Sequence, residues 1–168
     1  LHTVIAFAAL IFLYCQARIL HAGTGIPAWR VAAMPRMLIE TGLYEGLGLL
    51  YVVAASIPEI TIGPIGPMLG VLLAGGNAWQ WWRYCKGAKA AGIPPLARAE
   101  LQRITPWLHA IGHALPALLY AAALTAPGNP ATVLAIAGIA TLAGGALWKY
   151  TVIVPASHQQ GFALPRLP

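Results

Sequence analysis

Seven side chains in this 168-residue sequence combine polar or ionisable chemistry with apolar neighbours on both sides: Glu40, Glu45, Asn77, Gln80, His109, His113 and Lys149. Carboxyl and imidazole groups take up and release protons near neutrality, amides fix a ligand's oxygens, and an ammonium neutralises a developing negative charge. Their setting makes them notable. The chain is 59% hydrophobic and 8% charged, with a mean hydropathy of +0.72, whereas a soluble domain is roughly 25% charged. An ionisable residue at the centre of a bilayer costs roughly 2.5 to 3.5 kcal/mol on insertion scales, so one that is present there is a functional candidate.

The elements that must position these groups follow from length and charge. A helix needs about 20 apolar residues to cross roughly 30 Å of hydrocarbon. The sequence predicts an all-α integral membrane domain, 1–168, of about five transmembrane helices over 1–17, 37–57, 67–84, 104–124 and 131–152. The last two come from a stretch, Ile104 to Trp148, with no Asp, Glu, Lys or Arg, broken by TAPGNP at Thr125 to Pro130. Arg18, Arg30 and Arg36 fall in the first loop, Arg83, Lys86, Lys89, Arg98 and Arg103 in the third, and Lys149 and Arg166 at the end. All ten positive charges thus lie on one side, which places the N-terminus outside and the C-terminus in the cytoplasm. This bias accounts for the net charge of +6 without a nucleic-acid partner. The sequence opens at Leu1 inside an apolar run with no charged leader, and it is expected to begin within a longer gene product. Cys15 and Cys85 belong to no CxxC pair and are expected to be free thiols; no metal site is expected from them.

Each candidate has a structural alternative. Glu45, in TGLYEGLGLL, shares a helix face with Thr41 and is flanked by Gly42 and Gly48, which admit a neighbouring helix or a flat ring; its plainer role is a protonated carboxyl bonded to another helix. Glu40 has Arg36 four residues before it as an ion-pair partner. Asn77, Gln80 and Tyr84 form a polar stripe, while Trp81, Trp82 and Arg83 suit an interfacial belt. His109 and His113, at i and i+4 in WLHAIGHALP, share one face, and Pro116 predicts a kink beside them. Ala137, Thr141 and Gly145 form a small-residue packing row, with Lys149 beyond it either reaching the surface or facing an anionic ligand. All seven candidates gather towards the cytoplasmic half. Proton-exchanging and hydrogen-bonding groups under one membrane face suit a quinone head group, whose two electrons travel with two protons; a transporter or channel cavity uses similar residues. Four residues apart on one helix, His109 and His113 cannot be opposite axial ligands of one haem, so a cytochrome b-type anchor would require His21 as well.

Several strings, in order, resemble a family. QARILHAGTGIPAWR, the TGLYEG helix, the WLHAIGHALP helix and the ending GALWKYTVIVPASHQQGFALPRLP resemble the C-terminal portion of polysulfide reductase/NrfD-like membrane subunits, in the branch of the dimethyl sulfoxide reductase anchor and the phenylacetyl-CoA:acceptor oxidoreductase membrane subunit. The ending, Lys149 to Thr151 and then Gln160 to Pro165, is the most telling piece. The resemblance implies a haem-free anchor in a bacterial or archaeal cytoplasmic membrane, partnered by an iron-sulfur subunit and a molybdopterin catalytic subunit, that exchanges electrons with menaquinone or ubiquinone. It implies that Glu45, His109 and His113 serve the quinone site or proton path and that Lys149 and the tail lie near the docking surface. Five spans stand where the family has about eight, and Pro155 stands where a basic residue is expected.

Overall fold

The structure, a computed structural model, describes residues 1–57, 59–60, 62–126 and 130–158, with His158 described by its backbone alone. Its elements are α1 (His2–Ala22), a 3-10 turn (Pro27–Arg30), α2 (Met34–Ala54), α3 (Ile65–Gly87), α4 (Pro95–Trp107), a π-helical segment (Leu108–Ala114), α5 (Leu115–Thr125), α6 (Ala131–Ile153) and a short α7 (Pro155–His158). No strand occurs among the described residues. Four helices are long and apolar enough to cross a membrane: α1, α2, the continuous helix Pro95–Thr125, and α6 with its extension to Ser157. Helix α3 has the length, 23 residues, but Asn77, Gln80, Arg83 and Lys86 make it less apolar than the other four.

Boundaries differ from the sequence expectation where charged residues continue a helix. The fourth helix starts at Pro95 rather than near residue 104. Pro94 and Pro95 start it, because a proline in the first turn sacrifices no hydrogen bond. Ala97, Leu101 and Ile104 then bury one face, while Arg98, Gln102 and Arg103 stay on the other. Pro116 leaves the Gly112 carbonyl without its usual donor and crowds it. The chain answers with a π-helical stretch that ends two residues before this proline, rather than with a simple kink. Gly92, with φ +79, reverses the chain between α3 and α4 in a region open to glycine. Of the expected hairpin after α5, Pro127, Gly128 and Asn129 lie outside the described residues, as do Gln160 to Pro165 and Arg166.

Helices α2, α3, α5 and α6 pack in a square, each against its two neighbours, and α1 lies outside against α2 and the 3-10 turn. The core falls into two clusters. One gathers Val31, Met34, Met37, Trp81, Tyr84, Leu101, Leu108, Trp148 and Val152, and the other gathers Tyr44, Tyr51, Ala74, Tyr120, Leu134 and Ala137. The first cluster joins the elements that carry Arg30, Arg36, Arg83, Lys86, Lys89, Arg98 and Arg103, so these positive charges share one end of the bundle. In contrast, α1 buries only Ala17, and Val4, Phe7, Ile11 and Phe12 are exposed.

Glycine sets the helix spacing. A Cβ on Gly138 of α6 would collide with the Gly48 carbonyl oxygen of α2, and one on Gly144 would collide with the Gly112 Cα of the π segment. Small residues permit such backbone contact between apolar helices, where lipid supplies no hydrophobic drive to associate. The row Ala137, Thr141 and Gly145 is buried as a packing face. We predict that Gly144→Leu destabilises the chain by about 2 kcal/mol or more through overpacking, whereas Gly46→Leu, whose Cβ would meet nothing within 4 Å, leaves it near wild type. Denaturant unfolding of both variants in detergent measures this difference.

Candidate functional site

The seven candidates do not converge on one pocket. They divide into three groups arranged around the square. On α2, the Glu45 carboxylate accepts a hydrogen bond and ion pair from the Lys149 ammonium of α6, a partner 104 residues away. Their side chains are 19% and 33% exposed. The Lys149 Nζ therefore neither reaches past the helix end nor stands apart from the carboxylates. Gly145, one turn before Lys149, makes the pairing possible, because any side chain there would strike the Glu45 carboxyl.

Glu45 and Lys149 line a furrow between α1 on one side and α2 with α6 on the other. One cavity of about 380 Å³ is bounded by Gln16, Ile19, Leu20, Leu38, Trp148, Lys149, Val152 and Ile153. The next, of about 360 Å³, is bounded by Leu13, Gln16, Leu38, Gly42, Glu45, Gly46, Leu49, Leu142 and Lys149. Shared residues Gln16, Leu38 and Lys149 make the two cavities one furrow. From Leu142 to Ile153 it extends about 16 Å along α6, at 1.5 Å per residue. Its polar groups, Gln16, Glu45 and Lys149, sit in the middle, and both ends are apolar. Gly42 is closed off by Leu13, while Gly46 faces open space.

The second group ties α2 to α3. The Thr41 hydroxyl donates to Asn77 Oδ1 at 2.6 Å, and Asn77 Nδ2 donates to the Leu73 carbonyl at 2.9 Å. Both residues are buried. Asn77 is therefore satisfied within the protein, as a buried amide must be, and acts as a clamp. Thr41 and Glu45 share a helical stripe but serve different neighbours. The Glu40 carboxyl abuts Gly76 of α3 and is not ion-paired with Arg36, which stays exposed. Gln80 keeps a buried Oε1 with no hydrogen-bond partner.

The third group is the histidine pair. His113 Nδ1 lies 3.2 Å from His109 Nδ1 in the π segment. Both rings line a cavity of about 290 Å³ against Ala74, Gly75 and Ala78 of α3 and Ala114 and Ala117. His21 is engaged elsewhere, its Nδ1 donating to the Trp29 carbonyl at 3.2 Å. Among the described residues, no three His, Cys, Asp or Glu side chains cluster as a metal site. Cys15 and Cys85 are free thiols.

Sequence reasoning missed a buried tyrosine group. Tyr120 packs against Tyr44 and Tyr51 with ring centroids 6.3 and 5.5 Å away. Since the Thr141 hydroxyl donates to the Ala137 carbonyl, Tyr120 donates to Thr141 Oγ1, 3.0 Å away. The signal was present: Thr41, Tyr44, Gly48 and Tyr51 recur at helical spacing on the buried face of α2. On α3, Gly66 and Gly70 provide the flat places for Tyr51 and Tyr120. Thr105, which accepts from Trp81 Nε1 at 3.1 Å, was also unforeseen because its partner is 24 residues away.

Comparison of the chain with protein-family models, curated proteins and solved structures finds no match. The site must therefore be judged by its own chemistry. An ion pair that is mostly out of solvent depends on both partners, since removing one leaves a charge without compensation. We predict that Lys149→Met and Glu45→Gln each lower stability by about 1 to 3 kcal/mol, less than a fully buried pair because a third of Lys149 is exposed. The double variant should recover at least half of the summed loss; additive losses in a double-mutant cycle would show that the two groups do not interact.

Proposed function

We propose that this chain is the membrane anchor and quinone-interacting subunit of a multi-subunit molybdopterin and iron-sulfur oxidoreductase. In this reading five helices cross a bacterial or archaeal cytoplasmic membrane, with the N-terminus outside and the positively charged end in the cytoplasm. The observation that carries the reading is the Glu45–Lys149 pair at the middle of an otherwise apolar furrow that opens beside the loosely packed α1. The packing of α3 between α2 and α5 supports a fifth span despite its polar residues. The family likeness of the WLHAIGHALP and KYT segments supplies the redox partners.

The furrow suits a quinone in size and chemistry. Ligand sites for small molecules occupy roughly 300 to 1,000 Å³ and are apolar, with a few placed polar groups, as here. A bound quinone would supply two-electron, two-proton redox chemistry. The chain's own residues have defined tasks. Lys149 donates to a ring oxygen from the α6 side, and Gln16 offers an amide from α1. Glu45 holds the ammonium in place and takes or gives a proton through it. Leu13, Leu49 and Leu142 keep water from one end, and Ile19, Val152 and Ile153 line the other for an isoprenoid tail. Gly46 leaves room for the ring.

Purification of the tagged chain from its native membrane in mild detergent, followed by mass spectrometry, should recover an iron-sulfur subunit and a molybdopterin subunit; recovery of the chain without any redox partner would overturn the anchor role. For the furrow, Gly46→Leu should lower the affinity for decyl-ubiquinone at least tenfold while leaving the assembly intact. Unchanged affinity would place the quinone elsewhere.

A further inference from the structure

Helix α3 turns one stripe of its surface away from the bundle. Met68, Leu72, Gly75, Trp79, Trp82 and Lys86 follow one another at intervals of four and three residues, which places them on a single helix face, and all six are exposed. Along this face the chemistry changes in one direction, from apolar side chains through a gap at Gly75 and two indoles to an ammonium. The rings of Trp79 and Trp82 stack with centroids 4.7 Å apart and planes 27° from parallel, and the Lys86 ammonium lies 4.8 Å from the Trp82 ring centroid. A lysine that only sought water would reach beyond the helix end. Lys86 instead folds back one turn onto the aromatic stack, held by the attraction of a cation for a ring face.

Two further observations point to what meets this stripe. Among the described residues, the ion pairs are Arg103 with Glu100 and Lys149 with Glu45, so Lys86, with Arg83 and Lys89 also exposed, takes no counter-charge from a carboxylate there. Lower on the stripe, Gly75 borders the cavity of about 290 Å³ that Ala74 and Ala78 of α3 share with Ala114 and Ala117, and a Cβ on Gly75 would meet nothing within 4 Å. The stripe therefore leads from an unpaired cation down to a hollow walled mainly by methyl groups. From Gly75 to Lys86 it spans about 16 Å at 1.5 Å per residue, close to half of the roughly 30 Å of bilayer hydrocarbon.

We propose that this face of α3 binds an anionic phospholipid of the surrounding membrane, with its phosphate on Lys86 and one acyl chain laid past the indoles into the hollow at Gly75. The order of groups along the stripe is that of the lipid itself: anion, polar ester region, hydrocarbon. The ammonium carries three N–H groups; the Trp82 ring covers one side of it, and the others remain for phosphate oxygens. Trp79 and Trp82 occupy the interfacial level that tryptophan prefers. Basic groups near a cytoplasmic surface attract anionic lipid in general, whereas an ammonium fixed above a hollow selects one lipid at one place. The inference rests on α3 crossing the membrane, as proposed above, and is independent of the quinone reading of the furrow.

The probes are dioleoylphosphatidylglycerol and its zwitterionic counterpart dioleoylphosphatidylcholine, titrated into the delipidated full chain in detergent, with bound lipid counted by native mass spectrometry. The first phosphatidylglycerol should bind about tenfold more tightly than the first phosphatidylcholine. Lys86→Gln should lower the phosphatidylglycerol affinity about fivefold, the worth of one cation at an anionic lipid. Gly75→Leu, which takes up the hollow without a clash, should cost a similar factor through lost acyl contact. Arg18→Gln removes a positive charge from α1, which packs on α2 and the 3-10 turn, and should leave the affinity unchanged, as should Gly46→Leu in the furrow. Equal affinity for the two lipids, equal losses in Arg18→Gln and Lys86→Gln, or no loss in Gly75→Leu would overturn the proposal. So would displacement of the lipid by glycerol 3-phosphate, since the site would then be one for a free phosphate. Leu72→Cys, in a chain with Cys15 and Cys85 changed to Ser, should resist a water-soluble maleimide in nanodiscs; labelling there would overturn the α3 span together with the lipid site, so the two failures are told apart.

Discussion

The backbone contact between α6 and its two neighbours is the constraint on which the rest of this structure depends. In lipid, apolar side chains gain nothing by leaving one apolar surface for another, so helix association relies on close packing and polar links. Gly138 against Gly48 and Gly144 against Gly112 bring three helices to backbone distance. Gly145 extends this same edge of α6 and gives the Glu45 carboxyl room to lie across the helix. The Glu45–Lys149 pair follows from that approach: with a larger residue at 145, the carboxyl would have to turn away and Lys149 would lose its counter-charge. Packing of small residues and placement of a charged pair are therefore one problem with a common solution.

Polar links then fix what packing leaves loose. Thr41 and Asn77 tie α2 to α3, Trp81 and Thr105 tie α3 to α4, and Tyr120 and Thr141 tie α5 to α6. Each uses a hydroxyl or amide that also satisfies its own chain or a neighbour, so few polar atoms are left over. Helix α1 shares in none of these links. It rests on α2 through Leu13 over Gly42, and its other face remains exposed. The furrow lies along this lightly bound edge. A ligand dissolved in the bilayer meets no tightly packed helix between itself and the ion pair, which is the arrangement expected for lateral entry from lipid.

Much of this was legible in the sequence, because its signals are local. Apolar length and charge placement located the helices, and the small-residue row at Ala137, Thr141 and Gly145 announced its packing face. The intramembrane carboxylates, amides and histidines stood out by their cost in lipid. What the sequence could not reveal were pairings between distant residues. Nothing local connects Lys149 to Glu45, so its spacing alone points it to the surface or to a ligand. Asn77 looked like a ligand-binding amide, yet Thr41, 36 residues earlier, satisfies it. The tyrosine cluster was overlooked since each tyrosine alone is an ordinary apolar residue of a membrane helix. The fourth helix began nine residues early because charges on an amphipathic turn resemble a loop when burial is unknown.

The division of the polar residues into separate groups changes what the bundle can do. A single pocket with seven polar side chains would be wet, and its charges would screen one another. Instead, among the described residues, the ion pair that bridges two helices of the square sits on the α1 side, and the histidine pair sits on the α3 side, with α2 and α6 packed through glycine between them. Each group keeps an apolar surround, in which a hydrogen bond or a charge is electrostatically stronger than in water. Two chemically distinct groups are then held apart without mutual interference. The glycine contacts that allow the helices to associate also keep these two environments apart.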